Sequence, residues 1–235
     1  MNVLSIDVGG SHVKCLASGR SIPRAFASGP TLTAAEMVRR VLQLTRKWSW
    51  DAVSIGYPGP VMHGAPVCEP HNLGAGWVGF DFAGGFGRPV KLVNDAAMQA
   101  LGSYEGGRML FLGLGTGLGS ALVVDGRLEA MELAHLPYRK GRSYEDYVGA
   151  HGLERLGKKR WRKAVLDVIA ELYGALRPDY VVLGGGNVHK MKTLPAYVRR
   201  GDNDNAFLGG FRLWDEGRVR TLRRPARKAP AGRGK

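Results

Sequence analysis

Three apolar segments of the chain run straight into glycine-rich turns: Asp7-Val8-Gly9-Gly10-Ser11, Leu114-Gly115-Thr116-Gly117-Leu118-Gly119-Ser120 and Leu183-Gly184-Gly185-Gly186-Asn187. A single turn of this kind is ordinary punctuation, and an acid before Gly-Gly is also a common hairpin. Three of them on separate strands are a stronger constraint. Open α/β sheets hold their ligands at such turns, where the carboxyl ends of the strands meet. The first turn has the parts of an anion cradle. Gly9 and Gly10 let backbone N–H groups close around a phosphate, Ser11 adds a hydroxyl and Lys14 a cation. Asp7 is a carboxylate able to position a hydrated divalent ion. Gly115, Thr116 and Gly117 offer a second such surface, and Gly184 and Gly185 a third.

The intervening sequence supplies the rest of an α/β pattern. Val3–Val8, His12–Ala17 and Ile22–Ala27 read as an antiparallel set. Thr33 and Glu36 have the spacing of a capping box, opening an amphipathic helix to about Trp48. Asp51–Tyr57 is a strand stopped by Pro58-Gly59-Pro60, and residues 61–80 read as loop with short strands, holding Asn72 and Trp77. Val90–Val93 is a buried strand running into Asn94-Asp95 and a helix to about Tyr104. Met109–Leu114 and Leu118–Val124 then repeat the strand, turn, strand unit of the N-terminus, which points to a duplicated architecture. Helices follow at Tyr144–Ala150 and Lys158–Leu176, then a strand at Asp179–Leu183 and a helix at Asn205–Trp214. The pattern predicts two α/β lobes.

Charge adds a question about partners. The 235 residues carry a formal charge of +14. The stretch after Gly217 holds eight Lys/Arg and no acid, so it supplies +8 and leaves +6 for the remainder. That stretch has few apolar side chains and is expected to be a disordered basic tail over 217–235. Further basic residues cluster at Arg139, Lys140 and Arg142 and at Lys158–Lys163. They make either a solvated face or a surface for a polyanion. Cys15 and Cys68 are too few for a disulfide framework, and a reducing cytoplasm is the expected setting. No apolar run is long enough to span a bilayer, and the N-terminus does not read as a secretory leader.

Taken together, the motifs resemble the actin–hexokinase–Hsp70 superfamily, and within it the ROK family of sugar kinases. Asp7–Lys14 is similar to that family's first phosphate motif, with Ser11 where threonine is usual. Leu114–Ser120 resembles the second, and Val181–Gly186 the nucleotide-associated turn. Asn94-Asp95 resembles the Asn-Asp pair, and Glu132-Leu133-Ala134-His135 the Glu-x-Gly-His motif with Ala134 replacing glycine. The likeness spans about residues 2–216, and Pro70–Trp77 with the Asn94–Glu132 stretch looks closest to polyphosphate glucokinases.

The resemblance implies a two-lobed actin-like (ribonuclease H-like) fold with a cleft between lobes. Residues 1–94 plus a helix at about 205–216 would form one lobe and 95–204 the other. It implies phosphoryl transfer from polyphosphate and/or ATP to the 6-hydroxyl of glucose or a similar hexose. Asp95 would be the general base, with Asn72, Asn94, Glu132 and His135 as sugar contacts and Asp7 holding Mg²⁺ through water. It implies a homodimer, with neither membrane nor nucleic acid as a partner. Many ROK members carry a cysteine-rich zinc motif after the histidine; Leu136–Trp161 has no thiol, so zinc is not expected there. Two alternatives are a non-catalytic sugar-binding regulator and a kinase for mannose, N-acetylglucosamine or fructose.

Overall fold

The computed structural model describes residues 1–215. The expected disordered tail at 217–235 lies outside the described residues. Strands β1 (Val3–Val8), β2 (His12–Ala17) and β3 (Arg24–Ala27) form an antiparallel meander, followed by helix α1 (Ala34–Thr45) and strand β4 (Ala52–Tyr57). A small hairpin, β5 (Val61–Met62) with β6 (Ala65–Pro66), and helix α2 (Phe82–Phe86) lead to β7 (Val90–Asn94). The first sheet has the order β3-β2-β1-β4-β7, with β4 parallel to both of its neighbours. Every residue of β4 is buried, as expected of a central strand covered on both faces.

Helix α3 (Asp95–Ser103) leads into the second half. There β8 (Arg108–Leu114), β9 (Leu118–Val124) and β10 (Arg127–Met131) form another antiparallel meander. Helices α4 (Tyr144–Val148) and α5 (Ala150–Leu176) cross over to β11 (Tyr180–Gly184), then β12 (Val198–Arg200) and α6 (Asn205–Arg212). The second sheet runs β10-β9-β8-β11-β12, with β11 parallel to β8 and to β12. Meander, crossover and two parallel additions therefore occur twice. The apolar runs Leu4, Ile6, Val8 and Ile55 fill one core, while Leu110, Leu112, Trp161 and Leu183 fill another.

Several local expectations need correction. The capping box at Thr33 is only half made: Thr33 Oγ1 accepts the Glu36 N–H at 3.3 Å, but the Glu36 carboxylate turns to Arg39. A reciprocal box closes instead at the start of α4, between Ser143 and Asp146. Helix α5 begins at Ala150 and bends at Gly157, whose φ of 69° only glycine adopts readily. The helix expected from Lys158 is its second segment.

Helices α3 and α6 cross between the lobes with almost no side chain at the contact. A Cβ on Gly102 would sit 1.8 Å from the Asn205 carbonyl oxygen, and one on Gly209 1.8 Å from that of Met98. Arg212 closes the far end of α3, its Nη1 donating to the carbonyls of Leu101 (2.7 Å), Gly102 (3.0 Å) and Tyr104 (3.0 Å). The other face of α6 lies on the first sheet. Ser54 Oγ donates to the Gly210 carbonyl (2.5 Å), and Trp214 Nε1 donates to Ser54 Oγ (2.9 Å).

Candidate active site

The start of α3 is the hub of the site. Asn94 caps that helix: its Oδ1 accepts the N–H groups of Ala96 (2.9 Å) and Ala97 (3.2 Å). Its Nδ2 donates to the Gly59 carbonyl at 3.0 Å, tying the cap to the Pro58-Gly59-Pro60 turn. Asp95, the first helical residue, is therefore free of capping duty. Its Oδ1 accepts the neighbouring Ala96 N–H at 2.7 Å.

Glycines bring the three turns against this hub. Asp7 pairs with Gly56 across β1 and β4, and a Cβ on Gly56 would lie 3.4 Å from the Asp95 Cα. Asp7 and Asp95 are thus separated by one bare strand position. On the other side, a Cβ on Gly119 would approach the Ala96 Cβ to 2.6 Å, so the strand leaving the second turn lies directly on α3. A Cβ on Gly184 would come within 3.0 Å of Gln99 Oε1, which seats the third turn one helical turn further along. The acids and the glycine-rich turns were visible in the sequence; the contacts of Gly56 and Gly119 with α3 depend on tertiary structure.

The turns also meet each other. Asn187 donates its backbone N–H to the Leu114 carbonyl (2.8 Å) and its Nδ2 to the Gly115 carbonyl (3.0 Å). Lys190 Nζ donates to Asn187 Oδ1 at 2.5 Å, placing an ammonium at the junction of the second and third turns. Glu145, which sequence reasoning passed over, half-buried in α4, accepts the Leu118 N–H at 3.0 Å. Thr116 is exposed, and its carbonyl accepts the Ala150 N–H at 2.9 Å. In the first turn, Gly9 N–H bonds the His12 carbonyl at 3.0 Å, while Gly10 and Ser11 are exposed. A Cβ on Gly10 would meet the Asn72 Cβ at 3.3 Å, which brings the distant 61–80 loop to the first turn.

The remaining sugar candidates sit on one short element. Glu132 precedes, and His135 ends, a 3₁₀ turn over Leu133–His135. Both are exposed, with the buried Leu133 and Ala134 between them. Buried Ser120 holds this turn in place, donating to the Met131 carbonyl (2.7 Å) and accepting the Leu133 N–H (3.1 Å). Trp77 is fully buried, its Nε1 donating to the Leu32 carbonyl at 3.3 Å, so it packs the core.

Electrostatics distinguish two acids from the rest. Burial pushes the Asp95 carboxyl up to about 7; the charge of Asp7 adds to the shift, the Ala96 N–H opposes it, and Glu132 raises it further. Burial likewise pushes Asp7 up to about 6, with Lys14, its cross-strand partner, opposing and Asp204 adding. Asp204, beside the start of α6 and 197 positions from Asp7, carried no signal in the sequence. Cys15 is a buried thiol pushed up to about 12 by burial. Among the described residues no group of three or more His, Cys, Asp or Glu is placed to hold a metal ion.

This arrangement can be compared with known proteins. No protein-family model matches the chain. A polyphosphate glucokinase from Mycobacterium tuberculosis is 28% identical over 204 residues, covering 77% of this chain and 76% of its own. The fold matches that of an inorganic polyphosphate/ATP-glucomannokinase from Arthrobacter sp. strain KM. Its TM-score is 0.75 at 22% identity, covering 88% of this chain and 96% of that one. The chain is thus similar in sequence to polyphosphate glucokinases and in fold to ROK sugar kinases. Its two-lobed α/β architecture is theirs, the actin-like fold expected from the motifs. A ROK-family transcriptional regulator, a homologue of the E. coli MLC protein, shares the fold as well, with TM-score 0.68 at 16% identity over 90% of this chain and 77% of that one. Among the described residues no helix is long and apolar enough to cross a membrane.

Proposed function

We propose that the protein transfers a phosphoryl group from inorganic polyphosphate and/or ATP to the 6-hydroxyl of glucose or a similar hexose, with Asp95 as general base. The observation that carries this reading is the placement of Asp95. It stands at the head of a capped helix, one glycine from Asp7, with the strand of the second turn against the next residue. A carboxylate whose burial and acidic neighbours hold it at about 7 is matched to taking a proton near neutral pH.

In this reading Asn72, Asn94, Glu132 and His135 orient the sugar. The second Asn94 amide N–H, left over by the Gly59 bond, is one donor for a hydroxyl. Asp95 accepts the proton of the 6-hydroxyl as its oxygen forms a bond to the terminal phosphorus. The bond from that phosphorus to the bridging oxygen breaks, leaving a chain one phosphate shorter, or ADP. Backbone N–H groups of Gly10, Gly117, Gly184 and Gly185, with Ser11, Lys14 and Thr116, hold the phosphates, while Gly9 and Gly115, whose N–H groups bond the His12 and Gly117 carbonyls, shape the turns.

The residues fit a magnesium ion bound mainly by phosphates and water. Asp7 is a desolvated carboxylate with a second acid, Asp204, near it, and one or two protein carboxylates beside substrate phosphates are usual for this ion. When bound, Mg²⁺ would neutralise charge on the transferring phosphates. No residue set suited to zinc follows His135, whose downstream segment lacks thiols.

The test is a coupled assay of glucose, mannose, N-acetylglucosamine and fructose against both donors. Hexose 6-phosphate formation with either donor is expected. A protein that binds sugar but yields no phosphorylated product with any pairing would instead be a regulator like its structural neighbour.

A further inference from the structure

We propose that a basic cleft beside the second turn docks the distal part of an inorganic polyphosphate chain, a site separate from the turns that hold the transferring phosphate. The inference rests on the polyphosphate-donor reading above. The cleft lies between a tight loop and the α4–α5 corner. Tyr138 N–H bonds the Arg142 carbonyl at 2.8 Å, and the Arg142 N–H bonds that of Arg139 at 3.1 Å, so the loop turns sharply and presents Arg139, Lys140 and Arg142 together. Facing them are Tyr147 of α4 and Arg155 and Arg160 of α5. The cavity has a volume of about 620 Å³, and five of its lining residues are cations with no acid among the described ones.

Three features suit this cleft to a polyanion rather than to simple solvation. First, its cations are held in place. Arg155 donates Nη2 to the Asp146 carbonyl (2.7 Å) and lies 4.9 Å from the Tyr147 ring centroid; Arg160 donates Nε to the Leu156 carbonyl (3.1 Å). A guanidinium has five N–H donors, so each of these retains most of its fork for phosphate oxygens. Second, the cations outnumber the acids beside them: Arg139 pairs with Asp167 at 3.4 Å and Asp146 lies in the field of Arg142 and Arg155, but both acids stand outside the cavity lining. Third, the same corner is fastened to the second turn. Glu145 accepts the Leu118 N–H, and Ala150 donates to the Thr116 carbonyl. A chain lying in the cleft is thereby registered against the turn proposed to hold its end. ATP, held by the turns in this reading, does not depend on the cleft.

The variant pair Lys140→Asn/Arg142→Gln tests this. Neither residue belongs to the proposed catalytic machinery, and Asn tolerates the left-handed φ of 53° found at Lys140. Calorimetry would compare polyphosphate of several dozen phosphates with tripolyphosphate, and ATP-driven glucose phosphorylation would report the site itself. Long-chain affinity should fall about tenfold or more, the scale of two lost charge-assisted contacts, and depend less steeply on salt. Tripolyphosphate affinity and ATP-driven turnover should stay unchanged. Unchanged long-chain affinity would overturn the proposal, as would equal weakening of long and short chains. So would a single-stranded RNA of equal charge binding the parent protein as tightly as polyphosphate does. If long chains bind the cleft yet never donate phosphate, the docking site stands and the donor reading falls.

Discussion

The two sheets share one topology but load two of three corresponding positions differently. In the first sheet, the residue two before the turn is Asp7, its cross-strand partner is Lys14, and its parallel neighbour is Gly56. The corresponding positions in the second sheet are Gly113, Gly119 and Gly184. One lobe thus brings charge to the centre of the molecule and the other brings room. The room is taken by α3, which leans on Gly119 and Gly184 while holding Asp95 beside Asp7. A repeated fold has been made asymmetric at two side chains, and the chemistry sits where the two versions face each other.

The strongest way to break this comparison is to remove the acid that sits between the lobes. Asp95→Asn keeps the shape of the side chain but cannot accept a proton, so kcat should fall by a factor of about 10² to 10⁴. Near-parental turnover in a coupled assay would mean that the meeting point of the lobes is not where chemistry occurs.

Filling the room is the next test. In Gly119→Val the new side chain starts 2.6 Å from the Ala96 Cβ, and the head of α3 must shift. A loss of about 1–3 kcal/mol in denaturant unfolding is expected from overpacking. Turnover should drop about tenfold or more, because small displacements of a reacting group are costly. If stability fell while kcat held, Gly119 would serve packing alone.

The smallest expected effect concerns pH and sharpens the charge half of the comparison. With Asp95 held at about 7, kcat/KM should rise as pH increases through that value. Folding stability should move the other way. The folded carboxyl binds its proton more tightly than the unfolded one, whose ordinary value is 3.8, so stabilisation present at low pH is lost between about 4 and 7. Asp95→Asn should therefore melt higher than the parent at pH 8, with the gap closing below pH 4. In Asp7→Asn, NMR titration should show Asp95 ionising at lower pH, since one of its two acidic neighbours is gone. An unmoved titration would separate the two acids.

What could be read from the sequence follows from how each segment is buried. Strands β1, β2 and β9 were legible to their end residues because uninterrupted or alternating apolar positions define them. Strand β10, Arg-Leu-Glu-Ala-Met, buries little and gave no signal, and β12 has one buried residue in three. Helix α2 hides behind two glycines in five residues, and the first segment of α5 behind Gly152 and Gly157. At the site, the acids and glycine turns were visible as motifs. The facing of Gly56 onto Asp95, of Asp204 onto Asp7 and of Glu145 onto Leu118 joins residues far apart in the chain, and no local pattern encodes it. Asn94 was legible as a paired motif residue, but its work as the helix cap was not.

The seating of α6 has a consequence for how the protein is made. That helix is nearly the last described element, yet it supplies the partner for Ser54 on a strand synthesised some 150 residues earlier and lies over Ser5. Until the ribosome has released residues up to Trp214, one face of the N-terminal sheet stays uncovered. Fragments cut before Asn205 should therefore precipitate rather than behave as independent halves.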